Sequence, residues 1–210
     1  MEMTAKAHWD QVYGNRPETE LTWFEALPEV SADLIAAYAQ PDAHVIDIGA
    51  GASRLVDLLI ARGYRHLHCL DLSQAGLDVS RARLGDKAQM VDWIVADVTR
   101  WRADPGRYAL WHDRAAFHFL TDPDQRAAYV AVMAAALRPG GHAVIMSFAL
   151  DGPERCSGLP VQRYDPATLA ATFEECAPGA FALVASQMHD HRTPGAKTQA
   201  FQISVLRRAG

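Results

Sequence analysis

Cysteine is scarce in this chain of 210 residues: Cys69, Cys156 and Cys176 are widely spaced, odd in number and never part of a CxxC pair. That excludes a disulfide framework and a spaced thiolate metal site, so no metal is expected, and it points to thiols kept reduced in a cytoplasm. Basic clusters are missing too. The 20 Lys and Arg are scattered among 25 Asp and Glu, for a formal charge of -5. No stripe of positive charge tracks a phosphate backbone, so a nucleic-acid partner is not expected. Long hydrophobic runs are absent: the longest, at 130–137 and 143–150, are far too short to span a bilayer. The polar stretch 1–10 lacks the apolar segment of a signal peptide. These absences predict a soluble, cytoplasmic protein with no membrane partner, monomeric or homodimeric. There is no internal repeat and no low-complexity segment, and the length suits one domain over 1–210.

What the chain does have is alternation. Strands are predicted over 44–48, 66–72, 92–98, 108–113, 142–148, 181–189 and 198–206, from β-branched runs and period-two patterns. Helices are predicted over 31–39, 53–62, 73–84, 122–137 and 166–175, with Ser31 and Ser73 as candidate caps and Asp122-Pro123 as a start signal. Leu55, Leu58 and Leu59 follow the i, i+3, i+4 spacing of a buried helical stripe. Residues 149–163, rich in Gly, Pro and Ser, form the longest interruption. Strand–helix alternation predicts an α/β, doubly wound, seven-stranded, mostly parallel sheet. The last two strands have only a short link, which predicts a terminal antiparallel hairpin. Ligands in such sheets bind outside the carboxyl ends of the strands, at the topological switch point.

The segment Asp47-Ile48-Gly49-Ala50-Gly51 joins the first strand to the helix that follows. Glycines let the backbone turn sharply and approach a ligand without a Cβ in the way. Asp71 closes the second strand, where a carboxylate can accept from both hydroxyls of a ribose. A nicotinamide or flavin binder needs a third glycine for close packing around a pyrophosphate, and Arg54 stands at that position. Asp47, two residues before the first glycine, would repel a pyrophosphate and favour a cationic ligand. A nicotinamide-dependent reductase and a non-catalytic nucleoside-binding module are the alternatives from other classes.

These residues resemble motif I of the class I S-adenosylmethionine-dependent methyltransferases, a Rossmann-like family. Leu70-Asp71 is similar to that family's acidic residue after strand two, Ala96-Asp97-Val98 to the motif after strand three, and Leu137-Arg138-Pro139-Gly140-Gly141 to the turn before strand five. The motifs stand in the family's order over residues 42–148. The resemblance implies that Asp47, Gly49, Ala50, Gly51, Asp71, Leu72, Asp97, Val98 and Asp113 bind S-adenosyl-L-methionine, with S-adenosyl-L-homocysteine as product. It also implies that residues 1–30, through Trp9 and Tyr13, fold over the donor as a lid.

The acceptor side is less defined. Asp113-Arg114-Ala115-Ala116-Phe117 is similar to the D-K-G-T-F pattern of a branch that includes protein-lysine methyltransferases, with Arg114 and Ala115 in place of Lys and Gly. Methyl transfer needs the nucleophile about 3–3.5 Å from the methyl carbon, and a base only if the acceptor arrives protonated. His118 is the candidate base, since imidazole titrates near neutrality, and Asp113 the candidate for orienting the acceptor. Arg114, Phe117, Arg155, Cys156 and Arg163 are candidate acceptor-binding residues, the last three on the 149–163 loop. The acceptor is a small molecule or a protein side chain.

Overall fold

The computed structural model describes residues 4–210; the first three residues of the expected lid segment lie outside it. Strands β1 (His44–Ile48), β2 (His66–Asp71), β3 (Val91–Val95), β4 (Tyr108–Arg114), β5 (Leu137–Phe148), β8 (Phe181–Arg192) and β9 (Thr198–Arg208) form one sheet. Its order is β3-β2-β1-β4-β5-β9-β8. The first five strands are parallel, and β9 lies antiparallel between β5 and β8. The expected seven-stranded, doubly wound, Rossmann-like sheet with its terminal hairpin is therefore what the chain forms. The order reverses between β1 and β4, paired as Ile48↔Asp113, and this places the crevice at their carboxyl ends.

Among the described residues six α-helices accompany the sheet: α1 (Ala5–Asn15), α2 (Glu29–Tyr38), α3 (Leu55–Ala61), α4 (Gln74–Leu84), α5 (Pro123–Ala136) and α6 (Pro166–Cys176). Because side chains alternate along a strand, β1 sends Val45 to one face and Ile46 and Ile48 to the other. The first face packs on Ile35, Leu55, Leu59 and Leu77 from α2, α3 and α4. The second packs on Tyr129, Val130, Met133, Leu169 and Phe173 from α5 and α6. Central strands buried on both faces explain why they read as continuous apolar runs.

Boundaries differ from the sequence expectation where side chains take other partners. Ser31 does not cap α2, which begins at Glu29. Ser31 is buried inside it, and its hydroxyl donates to Met146 Sδ at 3.5 Å. Strand β3 stops at Val95 rather than 98 because Asp97 Oδ1 accepts from the Thr99 N–H at 3.0 Å and turns the chain. The irregular loop after β5 contains a two-rung ribbon, β6 (Arg155–Cys156) paired with β7 (Leu159–Pro160). Its tip needs left-handed backbone at Ser157 and Gly158, which no hydrophobic period announces.

Candidate active site

The glycine turn after β1 is shaped by what approaches it. Gly49 has φ +66°, and a Cβ there would sit 2.7 Å from the Ala116 Cβ. Gly51 has φ +45°, and a Cβ there would overlap the Tyr13 hydroxyl. Both positions are left-handed backbone with no room for a side chain, so glycine is required twice over. The Gly51 N–H donates to Asp71 Oδ2 at 2.8 Å, and the Ser73 N–H donates to Asp71 Oδ1 at 2.7 Å. The end of β2 is thereby tied to the glycine turn. Burial raises the Asp71 carboxyl to about 6; the Ser73 and Gly51 N–H groups oppose that shift, and the Asp47 and Asp10 charges add to it.

A cleft of about 320 Å³ opens over this turn, within the range that takes nucleoside-sized ligands. Its wall contains Gly49, Asp71, Leu72, Asp97 and Val98 on the β1–β3 side, and Arg114, Phe119 and Cys156 on the β4 side. Trp9 and Tyr13 from α1, with Trp23, roof it. Trp9 meets Phe119 and Trp23 edge-on, with ring centroids 5.1 and 5.8 Å apart, the geometry aromatic quadrupoles favour. The roof is pinned at both ends. Asp10 Oδ1 accepts from the Ser73 hydroxyl at 2.6 Å, and Glu18 accepts from Arg54 at 2.6 Å and also from Arg83. Arg83 in turn holds Asp57 at 2.7 Å and the Ser53 carbonyl at 2.8 Å. Arg54, at the place of a third glycine, is thus a latch for the roof.

Other expected site residues lie elsewhere. Asp47 pairs with His112 Nδ1 at 2.7 Å across β1 and β4 and does not border the cleft. Ala50 is buried beneath the turn, its N–H donating to the Leu70 carbonyl at 3.1 Å. Asp113 is fully buried. It accepts from the Ala116 N–H (2.8 Å), the Phe117 N–H (3.0 Å) and the Tyr129 hydroxyl (2.6 Å). Burial raises its carboxyl to about 6 against those three donors, and its lone pairs serve the turn that leaves β4. Ala115 in that turn has φ +69°, a conformation that suits the glycine of the similar pattern better than alanine.

His118 is also fully buried, against Phe119 and Phe148, with neither ring nitrogen hydrogen-bonded. Burial lowers it to about 3, so its ring is neutral and walled off from the cleft. Phe117 packs in the α5–α6 core. Arg155 donates to the Gly158 carbonyl at 2.6 Å, holding the ribbon's tip, and Arg163 donates to the Gly152 carbonyl at 3.1 Å. Neither reaches the cleft. Cys156 does, its thiol pushed by burial up to about 12 despite Arg114 nearby. Trp23 falls within the expected 1–30 cover; cleft residues the motifs did not single out are Phe119, Thr99, Gln125, Leu159 and Pro160. Only the sequence position of the last two, on the loop after β5, hinted at them.

A parallel sheet with a 3-2-1-4-5 core, a glycine turn and an acid closing β2 defines the class I methyltransferase architecture. Residues 45–141 match a family model described as a methyltransferase domain. That matched segment carries the glycine turn, Asp71 and Asp97. A mouse protein, eEF1A lysine and N-terminal methyltransferase, is 22% identical over 119 residues, covering 56% of this chain and 17% of its own length. The chain therefore spans a small part of that relative. Among solved structures, one from a study of the conversion of a disulfide bond into a thioacetal group during echinomycin biosynthesis is 20% identical, with TM-score 0.78, over 98% of this chain and 93% of its own. A Burkholderia thailandensis 1,6-didemethyltoxoflavin N1-methyltransferase, solved with 1,6-didemethyltoxoflavin and S-adenosylhomocysteine, is 23% identical with TM-score 0.68, covering 95% of this chain and 81% of its own. At these identities the likeness establishes the fold.

Proposed function

We propose that this protein transfers a methyl group from S-adenosylmethionine to a small-molecule nucleophile held at the end of β4. The observation that carries the reading is the Asp71 carboxylate, bonded to the Gly51 N–H at 2.8 Å on the wall of the cleft. Each oxygen spends one lone pair on the backbone and keeps capacity for ribose hydroxyls. Asp97 and Val98 flank the adenine side, and Tyr13 and Trp9 cover the methionine side. Asp71 and Asp97 are the only acids on the cleft wall among the described residues, which suits a donor bearing an ammonium and a sulfonium. Bound there, S-adenosylmethionine supplies an electrophilic methyl group.

The chain's own contribution is alignment and exclusion of water. No histidine and no carboxylate borders the β4 end of the cleft among the described residues, so the acceptor reacts without a protein base. Asp113 acts through the turn it holds, and His118 through packing against Phe119 and Phe148. We read residues 1–210 as a single domain, with 1–30 as the cover and 149–163 as the acceptor-side loop. A cleft of about 320 Å³ walled by α1 and the β6–β7 ribbon favours a small molecule over a protein side chain. Calorimetric titration tests the donor, and radiolabelled methyl transfer into metabolite pools tests the acceptor. Tight NADH binding with none for S-adenosylhomocysteine, or label entering only protein, contradicts the proposal.

A further inference from the structure

Charge on the cleft wall is segregated. Both acids stand at the ends of β2 and β3, and Arg114 is the one charged side chain at the β4 end among the described residues. Arg114 is held in place: its Nη1 donates to the Trp23 carbonyl at 2.9 Å and its Nη2 reaches Glu25 Oε1 at 3.1 Å. Its Nε is buried with no hydrogen-bond partner, so the guanidinium keeps donor capacity that the protein leaves unused. Glu25 does not border the cleft; it faces a smaller cavity beyond Trp23. Arg114 borders both spaces, so it is the member of the ion pair that the cleft meets.

Glu25 is also shared. His191 Nδ1 lies 3.2 Å from it and His189 Nε2 lies 3.9 Å away. Burial pushes the Glu25 carboxyl up, but the nearby His189 imidazole, the His191 hydrogen bond and the Arg114 charge outweigh this and hold it well below the usual carboxylate range. At the β4 end of the cleft no acid among the described residues offsets Arg114, and the nearby Cys156 thiol stays protonated at neutral pH. The surrounding wall is apolar and largely aromatic, made by Trp9, Trp23, Phe119, Leu159 and Pro160. A partly desolvated cation with spare donors attracts an anionic oxygen strongly and repels an ammonium.

Resting on the reading above, we propose that the acceptor is a small aromatic anion, its charged oxygen facing Arg114 and its ring among Trp9, Trp23 and Phe119. A protonated amine such as a lysine side chain is disfavoured, in contrast to what the partial D-K-G-T-F resemblance suggests. Cation–π attraction to the same aromatic wall pulls the other way, and the test decides between them.

The test is titration of the full chain with 2-naphthoate and with 2-naphthylmethylammonium, read by tryptophan fluorescence, with and without saturating S-adenosylhomocysteine. The naphthoate is expected to bind about ten-fold or more tightly, the value of one charge-assisted hydrogen bond. Arg114→Gln is expected to erase that preference. Leu159→Glu, a change at a half-buried position of the ribbon outside the Arg114 network, is expected to weaken naphthoate and Leu159→Lys to strengthen it. Equal or tighter binding of the ammonium, no binding of either probe, or an unchanged preference in these variants would overturn the proposal. Failure of S-adenosylhomocysteine to bind would strike the donor assignment instead, while the probe preference still decides this one.

Discussion

The two halves of the cleft are built differently. The donor half is local: a five-residue glycine turn, an acid that closes the next strand and another after the third, all fastened to backbone N–H groups. The acceptor half is assembled from Trp9 and Trp23 of the N-terminal segment, Arg114 and Phe119 after β4, and the ribbon after β5. The contrast teaches where specificity resides. A backbone that must be left-handed and uncrowded tolerates few residues, whereas an apolar wall tolerates many.

Substitutions in the donor half should therefore be the more damaging. Gly51→Val puts a branched side chain into left-handed backbone against the Tyr13 ring. It should weaken S-adenosylmethionine binding about a hundred-fold or more and lower Tm by several degrees, measured by calorimetry and thermal melting. Next in size is the roof latch. Glu18→Ala leaves Arg54 and Arg83 without their shared partner, and should cost about 1–3 kcal/mol in denaturant unfolding. It should also weaken donor binding several-fold, because the roof is no longer held. An unchanged donor affinity would mean that the roof plays no part in closing the site.

Acid should separate the halves further. The folded state holds His118 near 3 against 6.5 for the free ring. Below about pH 6.5 the unfolded chain takes up a proton that the folded chain refuses, so this group removes stability as pH falls. Asp71 and Asp113, raised from 3.8 to about 6, have the opposite sign, costing stability as pH rises through that window. His118→Leu should accordingly show a shallower loss of Tm from about pH 7 to about pH 4.5 than the parent chain. The smallest effect is expected at Ala115, where φ is +69°. Ala115→Gly should be neutral or stabilising by about 1 kcal/mol, although the same change within a helix destabilises.

Most of the sheet was legible because strands buried on both faces leave apolar runs, and Gly49, Gly51 and Asp71 because their chemistry is local in sequence. Ser31 misled as a cap because the same hydroxyl serves a buried contact to Met146 115 residues away. Asp113 and His118 looked catalytic from residue type and position. Yet the Asp113 oxygens are taken by the turn and Tyr129, and His118 faces Phe148; no local pattern reports either fact. The Glu25–Arg114–His191 network joins the N-terminal segment, β4 and β8, and only the fold brings them together.

The measurement that bears most directly on the account is calorimetric titration of S-adenosylhomocysteine into the parent chain and into Asp71→Ala, with folding of both checked by circular dichroism. The account predicts one site per chain in the parent, and binding about ten- to a hundred-fold weaker in a variant that stays folded. Equal binding by the two proteins, or binding of NADH in preference to S-adenosylhomocysteine, would contradict it.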